Sequence, residues 1–152
     1  MNFDPYPHQR AGIEWIEQHP AAALLWGMGT GKTVTTLTAI DRLLFDWLED
    51  GPVLVIAPKR VAENTWSKET AKWEHLQHLR IAKIMGTAAQ RAAALSADAD
   101  IYVINRENVV WLVEQVAGER FLADCVTITS GQPNGSSIGT KPSALYGSYP
   151  IP

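Results

Sequence analysis

The chain has one cysteine, Cys125, in 152 residues. A single thiol forms no internal disulfide and excludes metal clusters built from several cysteines. Cys125 reads as a small buried apolar residue. Basic charge is also scarce: 13 Lys and Arg stand against 16 Asp and Glu, a net charge of −3. That excludes a global basic footprint for nucleic acid, so any such contact has to come from a local patch. No apolar run is long enough to cross a bilayer. The first residues, among them Asp4, His8 and Arg10, lack the apolar segment of a secretory signal. A cytoplasmic protein with no membrane partner is expected. At 46% hydrophobic residues, the chain can bury one core.

Apolar runs at Ala21–Trp26, Val53–Ala57, Leu79–Ile84, Ile101–Ile104 and Asp124–Thr129 predict five strands. The first is apolar throughout, as a strand covered on both faces is. Helical patterns lie between them, over residues 8–19, 32–49, 62–75, 87–97 and 106–117. The first should turn Ile13, Ile16 and Trp15 inward and stop at Pro20. The second should bury Leu37, Ile40, Leu44 and Leu48. Alternating strands and helices predict a three-layer α/β sandwich with a mainly parallel sheet. Ligands then sit at the carboxyl ends of the strands. From Thr129 to Pro152 the chain is rich in Gly, Ser and Pro, and Lys141 is its only charge. With no apolar period, this stretch is expected to be a loose tail, leaving residues 1–128 as the folded domain.

The densest chemistry lies at Trp26-Gly27-Met28-Gly29-Thr30-Gly31-Lys32-Thr33. A strand, a glycine-rich turn ending Gly-Lys-Thr and a helix make a phosphate-binding loop. Glycine lets the backbone curl round an anion and present N–H groups without a Cβ in the way. The helix adds the positive end of its dipole. Lys32 can reach the β- and γ-phosphates of ATP, and the Thr33 hydroxyl can ligate Mg²⁺. The full pattern has glycine where Trp26 stands.

Upstream, the Gln9 carboxamide can pair with an adenine edge, and Tyr6 or His8 can stack on the base. Downstream, Lys59 and Arg60 follow the second strand, and Asn105 and Arg106 follow the fourth. All four are candidates for nucleic-acid backbone contacts. Trp66 and Trp73 read as core residues, and His75 and His78 as packing or surface residues rather than metal ligands.

Together these residues resemble the first, RecA-like motor lobe of superfamily 2 helicases, most closely the Swi/Snf-type ATPases, including phage and bacterial versions. Pro7-His8-Gln9-x-x-Gly12-x-x-Trp15-Ile16 is similar to that family's adenine-reading motif. Trp26–Thr33 is similar to its phosphate loop, whose first position in this group is commonly not glycine. Val55–Lys59, with Trp66 and Glu69, is similar to a segment that the family lays on the DNA backbone. Tyr102–Asn105 resembles the strand before a further DNA-contact loop, with Asn105 where Thr or Ser is usual. The resemblance implies ATP and Mg²⁺ as cofactors and double-stranded DNA as a weakly bound partner.

The family follows its fifth strand with Asp-Glu, which hold the metal and polarise the attacking water. Here Thr129 and Ser130 stand there. Asp98 and Asp100 precede the fourth strand, at the wrong end of the sheet. The second motor lobe is also missing, so the expectation is a truncated lobe deficient in hydrolysis, its tail produced by a shifted reading frame. A non-catalytic nucleotide-binding module and a small P-loop kinase are the competing functions.

Overall fold

A computed structural model describes residues 1–19, 21–24, 29–46, 52–115, 126–129 and 137–140. Helix α1 (Pro7–Gln18) starts with proline at its first position, where a missing N–H costs nothing. Strand β1 (Ala21–Leu24) follows. Helix α2 (Lys32–Asp41) then widens into a π turn over Arg42–Asp46. Strand β2 (Val53–Ala57) leads through a second π turn, Val61–Thr65, into α3 (Trp66–Lys72) and a 3₁₀ turn at Glu74–Leu76. Strand β3 (Ile81–Ile84) precedes α4 (Ala88–Ser96). A reciprocal cap opens α4: Gln90 N donates to Thr87 Oγ1 (3.2 Å) and Thr87 N to Gln90 Oε1 (2.9 Å). Strand β4 (Ile101–Asn105), a 3₁₀ turn at Arg106–Asn108, α5 (Val109–Glu114), β5 (Val126–Thr129) and β6 (Ser137–Thr140) complete the order.

The six strands form one sheet in the order β1-β6-β5-β2-β4-β3. The β2–β4, β2–β5 and β3–β4 pairs are parallel. Strand β6 runs antiparallel to both β1 and β5. Two reversals restore the direction, so β1 points the same way as β5 and β2, and the turn at Gly29–Gly31 lies at the carboxyl edge of the sheet.

Alternation along β2 splits the core into two layers. Val53, Val55 and Ala57 pack with Val34, Leu37 and Ile40 of α2 and with Trp66. Leu54 packs with Ile84, Tyr102, Ile104 and Leu112, backed by Leu95 of α4 and Trp111 of α5. Helices thus cover both faces of a mainly parallel sheet, the three-layer arrangement that the sequence predicts.

Three expectations need correction. The stretch from Thr129 is not without strand structure: Thr129 ends β5, and Ser137–Thr140 are β6, hydrogen-bonded on both sides. Backbone donors and acceptors on β1 and β5 require a partner between them, and this demand is independent of apolar period. Trp15 is 48% exposed, not inward; its ring stacks on His19 at 3.8 Å. The helix of residues 62–75 is in three pieces, the π turn, α3 and the 3₁₀ turn. Pro20, Leu48, Cys125 and Lys141 lie outside the described residues.

His75 ties α2 to the 3₁₀ turn that follows α3. The Thr38 hydroxyl donates to Val34 O (2.7 Å) and so accepts from His75 Nε2 (2.9 Å). Nδ1 is thus the unprotonated nitrogen, and it is enclosed with no partner among the described residues. Burial pushes the His75 pKa down, Asp41 opposes that shift and His78 adds to it. The unfolded chain therefore binds this proton more readily than the folded one. Its contribution is intact above the ordinary histidine pKa of about 6.5 and is lost as pH falls through it toward the lower folded value. Melting temperatures should drop more steeply from pH 7.5 to pH 5.5 for the wild type than for His75→Gln. Parallel profiles would exclude His75 as a source of acid sensitivity.

Candidate nucleotide site and nucleic-acid edge

Gly29 and Gly31 carry φ of +74° and +80°, the left-handed region that residues with a Cβ rarely enter. Gly31 is the residue that caps α2. Its carbonyl accepts from Thr35 N (3.1 Å) and Thr35 Oγ1 (2.8 Å), fixing the turn to the helix. The first turn of α2 holds the partly buried Lys32 and Thr33. Its leading N–H groups are those that a helix leaves without internal partners. Trp26, Gly27 and Met28 lie outside the described residues.

Gln9 lies on this turn. It is 6% exposed. Its Nε2 donates to Thr30 O (3.3 Å), and its Oε1 accepts from Tyr6 N (2.9 Å). A carboxamide has two N–H groups and two acceptor lone pairs, so one of each remains for a ligand edge. His8 Nε2 donates to the same Thr30 carbonyl at 3.0 Å. The Tyr6 and His8 rings are parallel within 8°, with centroids 6.1 Å apart. The structure thus brings Tyr6, His8, Gln9, Gly29, Thr30 and Gly31 together around an open cleft of about 730 Å³.

The far wall of the cleft was not legible as such. Trp73, read as core, lines it beside Phe3 and Glu69. Its indole Nε1 donates to Glu69 Oε2 (2.8 Å), and Phe3 meets it edge-on at 5.2 Å. The seven-residue spacing signalled a shared face for Trp66 and Trp73, but only Trp66 is fully buried, at 1%.

A second group occupies the same edge of the sheet. Ala57 and Asn105 are paired in register, so the turns after β2 and β4 leave the sheet side by side. Lys59, Arg60 and Arg106 are exposed there. Asn105 is 7% exposed. It donates from Nδ2 to Glu107 Oε2 (2.8 Å) and accepts from Asn108 Nδ2 (2.5 Å). It supports the edge from beneath instead of presenting its amide outward. Glu107 escaped sequence reading because a lone acid in a turn carries no pattern. Its own backbone N–H and then Asn105 hold its carboxyl below the usual range, with Arg106 and Lys59 adding to the effect. Asp98 and Asp100 are at the opposite end, paired with Arg80 at 2.9 and 3.2 Å.

The residues present fit a nucleoside triphosphate: a left-handed glycine turn, a helix N-terminus, a lysine, and an amide with spare donor and acceptor. For Mg²⁺ the fit is partial, resting on the Thr33 hydroxyl. Among the described residues no group of three or more His, Cys, Asp or Glu could hold a metal ion.

The fold defines the class: an α/β lobe with a RecA-like sheet. The chain matches the SNF2-related domain over residues 8–129, and it belongs to that family. It is 41% identical over 113 residues to the putative protein p41 of Acyrthosiphon pisum secondary endosymbiont phage 1, covering 74% of this chain and 25% of that protein. It is 34% identical over 77 residues to the ISWI chromatin-remodeling complex ATPase ISW1 of Saccharomyces cerevisiae, covering 48% of this chain and 7% of that one. Among solved structures, the Sulfolobus solfataricus SWI2/SNF2 ATPase core in complex with dsDNA aligns with a TM-score of 0.58 and 27% identity, over 74% of this chain and 23% of that one. The chain therefore spans a quarter or less of these relatives' lengths. It has the fold of the N-terminal SNF2 ATPase lobe.

Proposed function

We propose that this chain is the ATP-binding lobe of a DNA-dependent ATPase or double-stranded DNA translocase, and that by itself it binds ATP without turning it over at a useful rate. The observation that carries this reading is the Gly29–Gly31 turn held on the N-terminus of α2 with Gln9 fastened across it. Lys32 and the helix N–H groups would hold the β- and γ-phosphates. The free half of the Gln9 amide would read adenine, beside Tyr6 and His8. Thr33 would hold Mg²⁺, which when bound neutralises charge on the phosphate oxygens. Lys59, Arg60 and Arg106 would meet the DNA backbone.

Hydrolysis needs carboxylates at the end of β5. Thr129 ends that strand, and Ser130 follows it in sequence. A hydroxyl neither draws in a metal as a carboxylate does nor takes a proton from water at neutral pH. Loss of catalytic groups in such a site lowers the rate by orders of magnitude, on the order of 10³ or more for an arginine finger alone. This favours the non-catalytic reading for the chain taken alone. The family match ends at residue 129, and β6 (Ser137–Thr140) completes the sheet of the lobe beyond it. Among the described residues no helix is long and apolar enough to cross a membrane, and the reading puts the protein in the cytoplasm, where ATP and DNA meet.

The test pairs two measurements on the full chain. Binding of a fluorescent ATP analogue should be saturable and should weaken about tenfold or more in Lys32→Ala, which loses a charge-assisted contact. Phosphate release, with and without duplex DNA, should stay at background. Steady turnover near one per second that Lys32→Ala abolishes would overturn the hydrolysis deficiency, and absence of analogue binding would overturn the site.

A further inference from the structure

Glu107 is an acid among three exposed cations, on the edge read above as the nucleic-acid face. We propose that Glu107, held by Asn105 in the turn that carries Arg106 and beside the turn that carries Lys59, is a built-in competitor for nucleic-acid phosphate that sets the strength of DNA binding at this edge. The inference rests on reading that edge as the DNA contact.

Three features carry it. The Ala57–Asn105 register places the two turns side by side. The 2.8 Å bond from Asn105 Nδ2 to Glu107 Oε2 fixes one carboxylate oxygen, and Asn108 fixes Asn105 in turn. The carboxylate is thus held in place instead of swinging freely into solvent. Its charge is also felt at Lys59 and Arg106, the same groups that add to its stabilisation. A phosphate approaching those cations meets a fixed negative charge of the kind it carries itself, so each cation contributes less to DNA binding than it would alone. The chain's net charge of −3 sharpens the effect, since no wider positive field masks it.

Two substitutions separate charge from hydrogen bonding. Glu107→Gln removes the charge and keeps a carbonyl oxygen that can accept from Asn105. Glu107→Asp keeps the charge on a shorter stem. Affinity of the full chain for a labelled DNA duplex is read by anisotropy between about 50 and 200 mM salt. Glu107→Gln should tighten binding about three- to tenfold at the low-salt end and steepen the salt dependence by up to about one unit of slope. Glu107→Asp should stay within about twofold of wild type, a difference of some 0.4 kcal/mol. Unchanged or weaker binding by Glu107→Gln overturns the proposal, as does equal tightening by both variants, which would point to loop geometry instead of charge. A Lys59→Ala, Arg106→Ala chain separates the two levels of the argument. If it binds DNA as well as wild type, the edge itself is misread. If it binds more weakly while Glu107→Gln changes nothing, the edge stands and the competitor falls.

Discussion

Replacing Gly31 by alanine is expected to weaken nucleotide binding by about 10²-fold, whereas the same change at Gly29 should cost about tenfold or less. The two glycines have nearly the same backbone conformation, φ of +80° and +74°, so both variants carry the left-handed penalty of roughly 1–2 kcal/mol. Their surroundings differ. A Cβ on Gly29 meets nothing within 4 Å, while one on Gly31 falls 2.3 Å from Gln9 Nε2 and 3.4 Å from Val34 Cγ1. The Gln9 amide would have to leave, breaking its bonds to Thr30 O and Tyr6 N, each worth about 0.5–1.5 kcal/mol. The same movement would take away the edge offered to the base. The comparison isolates the Gln9 clasp from glycine's conformational freedom. Titration of both variants with a fluorescent ATP analogue, with thermal melts to confirm folding, decides it. Equal losses at the two positions would mean that Gln9 adds nothing to the site.

Much of this site is readable without coordinates because its physics is local. A turn that curls round a phosphate needs left-handed residues, and only glycine enters that region cheaply, so Gly29 and Gly31 announce themselves. Buried parallel strands must be apolar on both faces, and Val53–Ala57 and Ile101–Ile104 read directly as strands for that reason. The failures share a different origin. Gln9 meets Thr30 only because the fold lays α1 against the glycine turn, and the bonds of Asn105 to Glu107 and Asn108 depend on how one short turn closes; periodicity along an element contains neither. Helical spacing turns Trp15 inward, yet the face of α1 that meets α2 is filled by Ile13, at 1% exposure. The π turns at Arg42–Asp46 and Val61–Thr65 shift the phase of a helix by part of a turn, which ends the use of a 3.6-residue period beyond them. Strand β6 is the largest case, since Ser137–Thr140 has no apolar pattern and takes its place from unmet hydrogen bonds on either side.

That placement gives the second large expected effect. Among the described residues, β1 pairs with no strand but β6, with Ala21–Leu24 opposite Thr140–Ser137. β6 in turn pairs with β5, Ile128 opposite Gly139. The phosphate-loop strand therefore reaches the rest of the sheet through four residues that lie beyond the family match. In an antiparallel strand, successive residues direct their N–H and C=O groups to opposite neighbours. A proline at 138 thus cuts a bond toward one neighbour and a proline at 139 toward the other. Neither is tolerated in a strand paired on both sides, and each leaves a partner unmet at about 1–3 kcal/mol. Ile138→Pro and Gly139→Pro should each lower ATP-analogue affinity by about tenfold or more. Amide exchange should then speed up at residues 21–24 while residues 53–57 and 101–105, paired with each other, stay protected. This split distinguishes detachment of β1 from general unfolding, which would release all three strands together. If both proline variants bind nucleotide as the wild type does and residues 21–24 remain protected, β6 is dispensable, and the phosphate loop is held by the packing of α1 and α2 instead.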